Sequence, residues 1–387
     1  MHRLLSIALL LICAGPLISS PQHTIPLQRL PDYTLLIPVR VNETGPFWCA
    51  LDSGGSRVFA LDSEVAAKAG LHLTRSGSSA GEGPAAVADQ RLPGATLDLG
   101  SFRIPNRMVV IRPVGNDPSV CIFGTAILEQ FVVEVDFLAP AVRLYRAESF
   151  QPSPQAVSVP VNFPMGNPVI PVQINLQPGP NIEAKLLVDT GVPLWPVALS
   201  KRFIDDNQIL GRARQLAEPP FAGEGTGGSI PLLATRADRL AVGPFQTQAP
   251  VMRLFRIGSG TRLPWDGNLG AEFFRRFLLI IDYPNGRLFL EPNQNYGLPP
   301  APYDGSGFWV RGASGHFLVE RVLPGSLAAR AGLQKGDLVL SLDGVAARDL
   351  TTSVIREKLY RSQGICTIRV QRAHERWTAR LRLQRYL

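Results

Sequence analysis

Short runs of alternating apolar and polar residues fill most of the chain, and they recur in two series. Ile37-Pro38-Val39-Arg40-Val41-Asn42 and Ile170-Pro171-Val172-Gln173-Ile174-Asn175 both alternate like half-buried strands. Each is followed by an apolar run that delivers an Asp, a hydroxyl residue and a Gly: Ala50-Leu51-Asp52-Ser53-Gly54 and Leu187-Val188-Asp189-Thr190-Gly191. The tetrapeptide Ala-Gly-Glu-Gly then appears twice, at 80–83 and 222–225. Leu97-Asp98-Leu99-Gly100 answers Leu240-Ala241-Val242-Gly243, each a strand closing in a turn glycine. Ile122-Phe123-Gly124 answers Asn268-Leu269-Gly270, and both glycines precede an Asp, Asp136 and Asp282, by twelve residues. Each series ends in a strand, Val142-Arg143-Leu144-Tyr145 and Arg287-Leu288-Phe289-Leu290. An order kept over so many landmarks is an internal repeat.

Two carboxylates in matching settings are what a water-activating pair needs, because like charges brought together share one proton. With the Gly-rich segments and the apolar-apolar-Gly strands, the two Asp-Ser/Thr-Gly triplets resemble the retropepsin-like aspartyl proteases of bacteria, with both lobes in one chain. The resemblance implies a mainly β fold with two homologous β-barrel lobes, residues 28–150 and 157–291. It makes Asp52 and Asp189 the catalytic pair, acting through an activated water with no covalent intermediate, metal or cofactor. It has Ser53 and Thr190 bond across the lobe interface, and Gly54 and Gly191 admit backbone amides to the carboxylates. It turns Gly81-Glu82-Gly83 and Gly223-Glu224-Gly225 into flaps over a peptide or protein substrate.

Beyond Pro292 a segment rich in Pro, Asn and Gly, residues 292–304, reads as a linker to a further domain at 305–387. The run from Val322-Leu323-Pro324-Gly325-Ser326 through Gly336-Asp337 to Asp343-Gly344 closely resembles a bacterial PDZ domain, a small β structure with two helices. A short helix is predicted to end at Gly332, with turns at Gly336-Asp337 and Asp343-Gly344. The resemblance implies capture of an extended or C-terminal peptide by strand addition. The loop would be Gly307-Phe308-Trp309-Val310, and a helix near 352–361 would offer Ile355 and Leu359. The same apolar residues also read as core.

Composition sets limits on these expectations. With 387 residues, 45% hydrophobic and 18% charged, the chain can bury two or three cores. The formal charge is +8, and the stretch from Tyr303 onward holds fourteen Lys or Arg against seven Asp or Glu, so the basic character belongs to the last domain. It reads as a solvated sheet edge, or as attraction for acidic peptides; nucleic acid is not an expected partner. His2-Arg3 and the apolar run Leu4 to Ile12 predict a signal peptide over residues 1–20. The protein would then be exported, periplasmic or secreted, with no transmembrane segment after cleavage.

Removal of the predicted signal peptide takes Cys13 with it, and the remaining Cys49, Cys121 and Cys366 are an odd number that makes no disulfide framework. The protease resemblance puts Cys49 and Cys121 on neighbouring strands, either bridged or, as Leu186 at the equivalent place suggests, as buried apolar thiols. The histidines are scattered and show no metal spacing. The residues thus point to an aspartic endopeptidase with a peptide-binding PDZ domain, the alternative being a non-catalytic envelope peptide-binding scaffold with a degenerate cleft.

Overall fold

The computed structural model describes residues 20–383 apart from 56, 58, 72–74, 82, 113, 115–118, 177–178, 259–261, 301–304, 314–315 and 360–362. The predicted signal segment up to residue 19, Glu82, the side chain of Glu224 and the last part of the 292–304 linker lie outside the described residues. The fold is mainly β. The longest helix among the described residues, Thr352–Leu359, has eight residues, and none is long and apolar enough to cross a membrane.

The first sheet forms a closed six-stranded barrel. Around it run Leu35–Val41, Thr44–Asp52, Cys121–Gly124, Phe59–Leu61, Phe102–Ile111 and Val87–Leu99. The last returns to the first through Arg40 opposite Asp98 and Val41 opposite Leu97. The alternation read from the sequence decides which side faces in: Leu35, Ile37, Val39 and Val41 are fully buried. Closure depends on one long strand, Val87–Leu99, whose thirteen residues bend through two register shifts and so pair on both sides.

The second sheet repeats this pairing order but stays open. Its strands run Leu232–Arg236, Val251–Phe255, Val197–Leu199, Gly267–Gly270, Ile182–Asp189, Val169–Asn175, Arg239–Val242 and Phe245–Gln248. The gap falls between Leu232–Arg236 and Arg239–Val242, consecutive strands parted by Ala237-Asp238, where the first sheet has an unbroken strand. The expected pair of closed barrels is therefore observed only for the first sheet.

A third sheet joins the halves. Val132–Asp136 pairs antiparallel with Phe277–Asp282, with Val132 opposite Asp282 and Asp136 opposite Leu278. The twelve-residue spacing acquires a structural meaning here. Asp136 accepts hydrogen bonds from the backbone N–H of Leu138 (2.8 Å) and Ala139 (3.0 Å), and Asp282 from that of Asn285 (3.1 Å), so each carboxylate holds a hairpin turn.

Cys49 and Cys121 form a disulfide with their Cα atoms 4.4 Å apart, which corrects the preference for apolar thiols. The parallel pairing of Thr44–Asp52 with Cys121–Gly124 sets these two residues opposite each other. Leu186 is a poor guide because it faces Gly267, which has no side chain to bridge. Cys366 is buried and lies outside this disulfide.

The C-terminal sheet runs Phe308–Ala313, His316–Val322, Leu338–Leu342, Ile365–Arg372 and Glu375–Arg382, with helices Leu327–Arg330 and Thr352–Leu359. Positive φ at Gly332 (83°), Gly336 (94°) and Gly344 (80°) realises the predicted helix end and turns. This domain is docked on the rest of the chain. The Asp32 N–H donates to Ser353 Oγ (3.1 Å), Arg356 lies 3.8 Å from the Asp32 carboxylate, and Arg321 pairs with Glu218. Buried Arg276, paired with Glu272 at 3.0 Å, also donates to the Pro299 carbonyl (3.2 Å), which fastens the connecting segment to the second half.

Candidate active site

Asp52 ends the strand Thr44–Asp52 and Asp189 ends Ile182–Asp189. Each lies opposite the glycine of a parallel neighbour, Gly124 and Gly270. The residues that follow are tied together across the halves. Ser53 N–H donates to Thr190 Oγ1 (3.0 Å) while Thr190 N–H donates to Ser53 Oγ (3.0 Å). Each hydroxyl then donates onward to a carbonyl of the opposite strand, Ser53 Oγ to Val188 O (2.6 Å) and Thr190 Oγ1 to Leu51 O (2.7 Å). Both residues are buried, so these four bonds hold the two loops in one geometry.

Consequently each glycine faces the other half's carboxylate. A Cβ on Gly54 would sit 2.7 Å from Asp189 Cγ, and one on Gly191 would sit 2.6 Å from Asp52 Cγ. Only glycine fits at either place. The two carboxylates differ in surroundings. Asp189 accepts from Gly191 N–H at Oδ1 (2.9 Å) and from Asn268 Nδ2 at Oδ2 (2.6 Å). For Asp52, burial pushes the carboxyl up from its ordinary value near 3.8; hydrogen bonding to Asp189 and to Gly54 and Gly55, and the charge of Arg112, oppose this without reversing it.

Asn268, Asn167 and Arg112 were missed by sequence reasoning. Asn167 donates to the Gly54 carbonyl (3.1 Å) and supports the first loop. The available signal for Asn268 was a polar residue in an apolar-apolar-Gly slot whose counterpart is Ile122.

The Gly-rich segments also meet. Gly223–Gly225 and Gly228–Ile230 form a hairpin whose tip reaches the first half: Gly83 N–H donates to Thr226 O (2.9 Å) and Ala85 N–H to Gly227 O (3.3 Å). A Cβ on Gly81 would lie 2.9 Å from Thr226 Cβ, and one on Gly83 would collide with the Gly227 backbone. The glycines thus allow backbone to approach backbone.

Residues 37–127 match the aspartyl protease family, and residues 318–372 match the PDZ domain family. The chain carries an N-terminal aspartic-protease-like domain and a C-terminal PDZ domain. No curated protein matches the chain. Among solved structures it is similar to the aspartic proteinase from Irpex lacteus, at 13% identity and a TM-score of 0.44, over 72% of this chain and 99% of that one.

In the PDZ domain, Phe308, Val310, Ile355 and Leu359 belong to one buried core, so the side chains expected to line a peptide groove are packed against one another. Gly307, at φ 77°, accepts a bond at its carbonyl from Leu323 N–H (2.9 Å). Trp309 instead faces the second half of the molecule. Its ring lies 4.7 Å from that of Phe221, with the Arg356 guanidinium 4.9 Å from its centre on the PDZ side. Arg253 continues the stack from Phe221 (5.3 Å) to Trp195 (4.3 Å), which sits in the loop after Gly191. No group of three or more His, Cys, Asp or Glu able to hold a metal occurs among the described residues.

Proposed function

We propose that this chain is an aspartic endopeptidase whose catalytic pair is Asp52 and Asp189. The observation carrying the proposal is the crossed Ser53–Thr190 bonding, which sets the two Asp loops face to face. Both carboxylates are withdrawn from water; two donors aimed at Asp189 favour charge there, and Asp52, whose carboxyl is pushed up on balance, holds the proton of the pair. Asp189 therefore acts as the base. It takes a proton from a water as the water oxygen attacks the scissile carbonyl carbon, and Asp52 gives its proton to the carbonyl oxygen. When the C–N bond breaks, Asp189 returns its proton to the leaving amine and Asp52 recovers one from the collapsing diol. The pair then again holds a single proton.

In this reading residues 28–150 and 157–291 are homologous lobes, supported by the repeated pairing order of their sheets. Their Gly-rich hairpins act as flaps that exclude water from bound substrate. The linker, residues 292–304, leads to a peptide-binding PDZ domain at 305–387. The chain is exported after removal of residues 1–20.

The test is cleavage of a diverse peptide library by protein starting at residue 21, from acidic to neutral pH, beside Asp52→Asn and Asp189→Asn. Loss of cleavage in both variants is expected. Folded wild-type protein that cuts nothing at any pH would favour the scaffold reading.

A further inference from the structure

Phe308, Ile355 and Leu359 of the PDZ domain are closed in its core, yet a cavity of ≈ 1050 Å³ opens beside them, between that domain and the second half of the chain. One wall is four consecutive residues, Trp309 to Gly312, of the strand Phe308–Ala313. That strand ends its sheet and pairs only with His316–Val322 among the described residues, so its other edge has backbone groups to offer an added strand. The opposite wall is Pro220 to Ala222 and Ser229, which flank and enter the Gly223–Ile230 hairpin. Arg311, Arg321, Lys335 and Arg356 line the cavity with Glu320; Arg311 pairs with Glu320, Arg321 with Glu218, and Arg356 lies 3.8 Å from the Asp32 carboxylate. Lys335 is exposed and has no carboxylate partner among the described residues.

We propose that this inter-domain cavity is a binding site for an extended acidic peptide, built jointly by the PDZ edge strand and the base of the second flap. The proposal rests on the PDZ domain being a peptide binder, but not on catalysis by the Asp pair. Strand addition along Trp309 to Gly312 supplies affinity without regard to sequence. Lys335, the lining cation with no carboxylate partner among the described residues, selects carboxylates, whether side-chain or C-terminal. Because Ser229 belongs to the flap hairpin, the occupant touches both domains at once.

Binding is measured by fluorescence anisotropy on full-length Asp52→Asn protein, so that no probe is cut. The probes are a labelled Glu-rich peptide, its C-terminal amide, its Glu→Gln analogue and a Lys-rich analogue. The Glu-rich peptide is expected to bind tightest, and to weaken as salt rises. The amide distinguishes a terminal carboxylate from side-chain ones. Lys335→Glu on the PDZ wall and Ser229→Glu on the protease wall should each weaken it by about tenfold, and Ser229→Arg should strengthen it.

Affinity that responds to Lys335→Glu but is indifferent to both Ser229 variants overturns the joint site and leaves an ordinary PDZ ligand. Equal binding of acidic and basic probes overturns the charge selection. If no probe binds, the inference and the PDZ peptide-binding reading fall together, while library cleavage by the wild type still decides the protease reading separately.

Discussion

Asn268 donates a hydrogen bond from Nδ2 to Oδ2 of Asp189 at 2.6 Å, and in the first half the same place in the repeat is held by Ile122, which has nothing to donate. The near-symmetry of the strands is thereby broken at the carboxylates. Asn268→Leu keeps the shape and removes the donor. A hydrogen bond to a charged group contributes about 1.5–3 kcal/mol, so kcat/KM should fall by roughly 10–100-fold. Since the lost bond favours the ionised form of Asp189, the proposed base, the acid limb of the pH–rate profile should move to higher pH. An unchanged profile would mean that Asn268 only packs.

The two hydroxyls that cross between the halves should matter to stability as much as to geometry. Thr190→Val leaves the buried Ser53 N–H without its acceptor and the Leu51 carbonyl without its donor. Each unsatisfied buried group costs about 1–3 kcal/mol. Ser53→Ala does the same to the Thr190 N–H and the Val188 carbonyl. The double variant should lose less than the sum of the singles, because the bonds act as one network. Chemical denaturation of the four proteins measures this, and strict additivity would refute the network.

The parts of this arrangement that were legible in the sequence are those the repeat states twice. The strands that deliver Asp52 and Asp189, and the turns after Leu99 and Val242, follow from alternation and glycine placement alone. What the repeat states only once was lost. Asn268 stands where the first series has Ile122 and so has no counterpart to mark it, and Leu186 argued against the bridge that Cys49 makes. The open edge of the second sheet turns on Ala237-Asp238, a local break that apolar patterning does not mark. The Trp309–Phe221 stack joins residues far apart in the chain, and one sequence holds no signal for which aromatic meets which. Phe308, Ile355 and Leu359 read as groove or as core because both uses need the same apolar residues at the same spacing; here they are core.

Gly54→Ala and Gly191→Ala should separate folding from catalysis. The added methyl would fall 2.7 Å from Asp189 Cγ or 2.6 Å from Asp52 Cγ, so the carboxylate must move aside. A misplacement near 1 Å lowers rate about 100-fold. Cleavage should drop by at least that factor while circular dichroism stays that of the wild type. Activity retained within a few-fold would show that the carboxylates have more room than these distances allow.

Disulfide removal tests the first barrel. The bridge closes a separation of 72 residues beside the Asp52 strand, and the chain-entropy relation gives roughly 4 kcal/mol for a loop of that size. The Cys49→Ala/Cys121→Ala double variant should therefore melt well below the wild type, with the larger loss in the first half. Both sulfurs are buried, so reductant should lower the melting temperature only under conditions in which the barrel opens. Equal melting of the double variant and the wild type would mean that the bridge takes no entropy from the unfolded chain.

Asp52 should also carry a pH signature in stability that is separate from its part in catalysis. Folding raises its carboxyl above the ordinary 3.8 because burial removes water from the charged form. Between 3.8 and the raised value the folded protein holds a proton that the unfolded chain has released. Stability from this group is therefore fully present below pH 3.8 and is lost as the pH climbs through the raised value. Above the raised value the wild type bears a buried charge beside Asp189, and Asp52→Asn removes it. On the alkaline side of that value the variant should melt a few degrees above the wild type. That advantage should shrink steadily as the pH is lowered to about 3.8, where the wild-type carboxyl is protonated in the folded state. Melting curves of both proteins from pH 3 to 8 decide it. A gap that stays constant with pH would mean that Asp52 is not held away from water, and the assignment of the proton to Asp52 would lose its electrostatic basis.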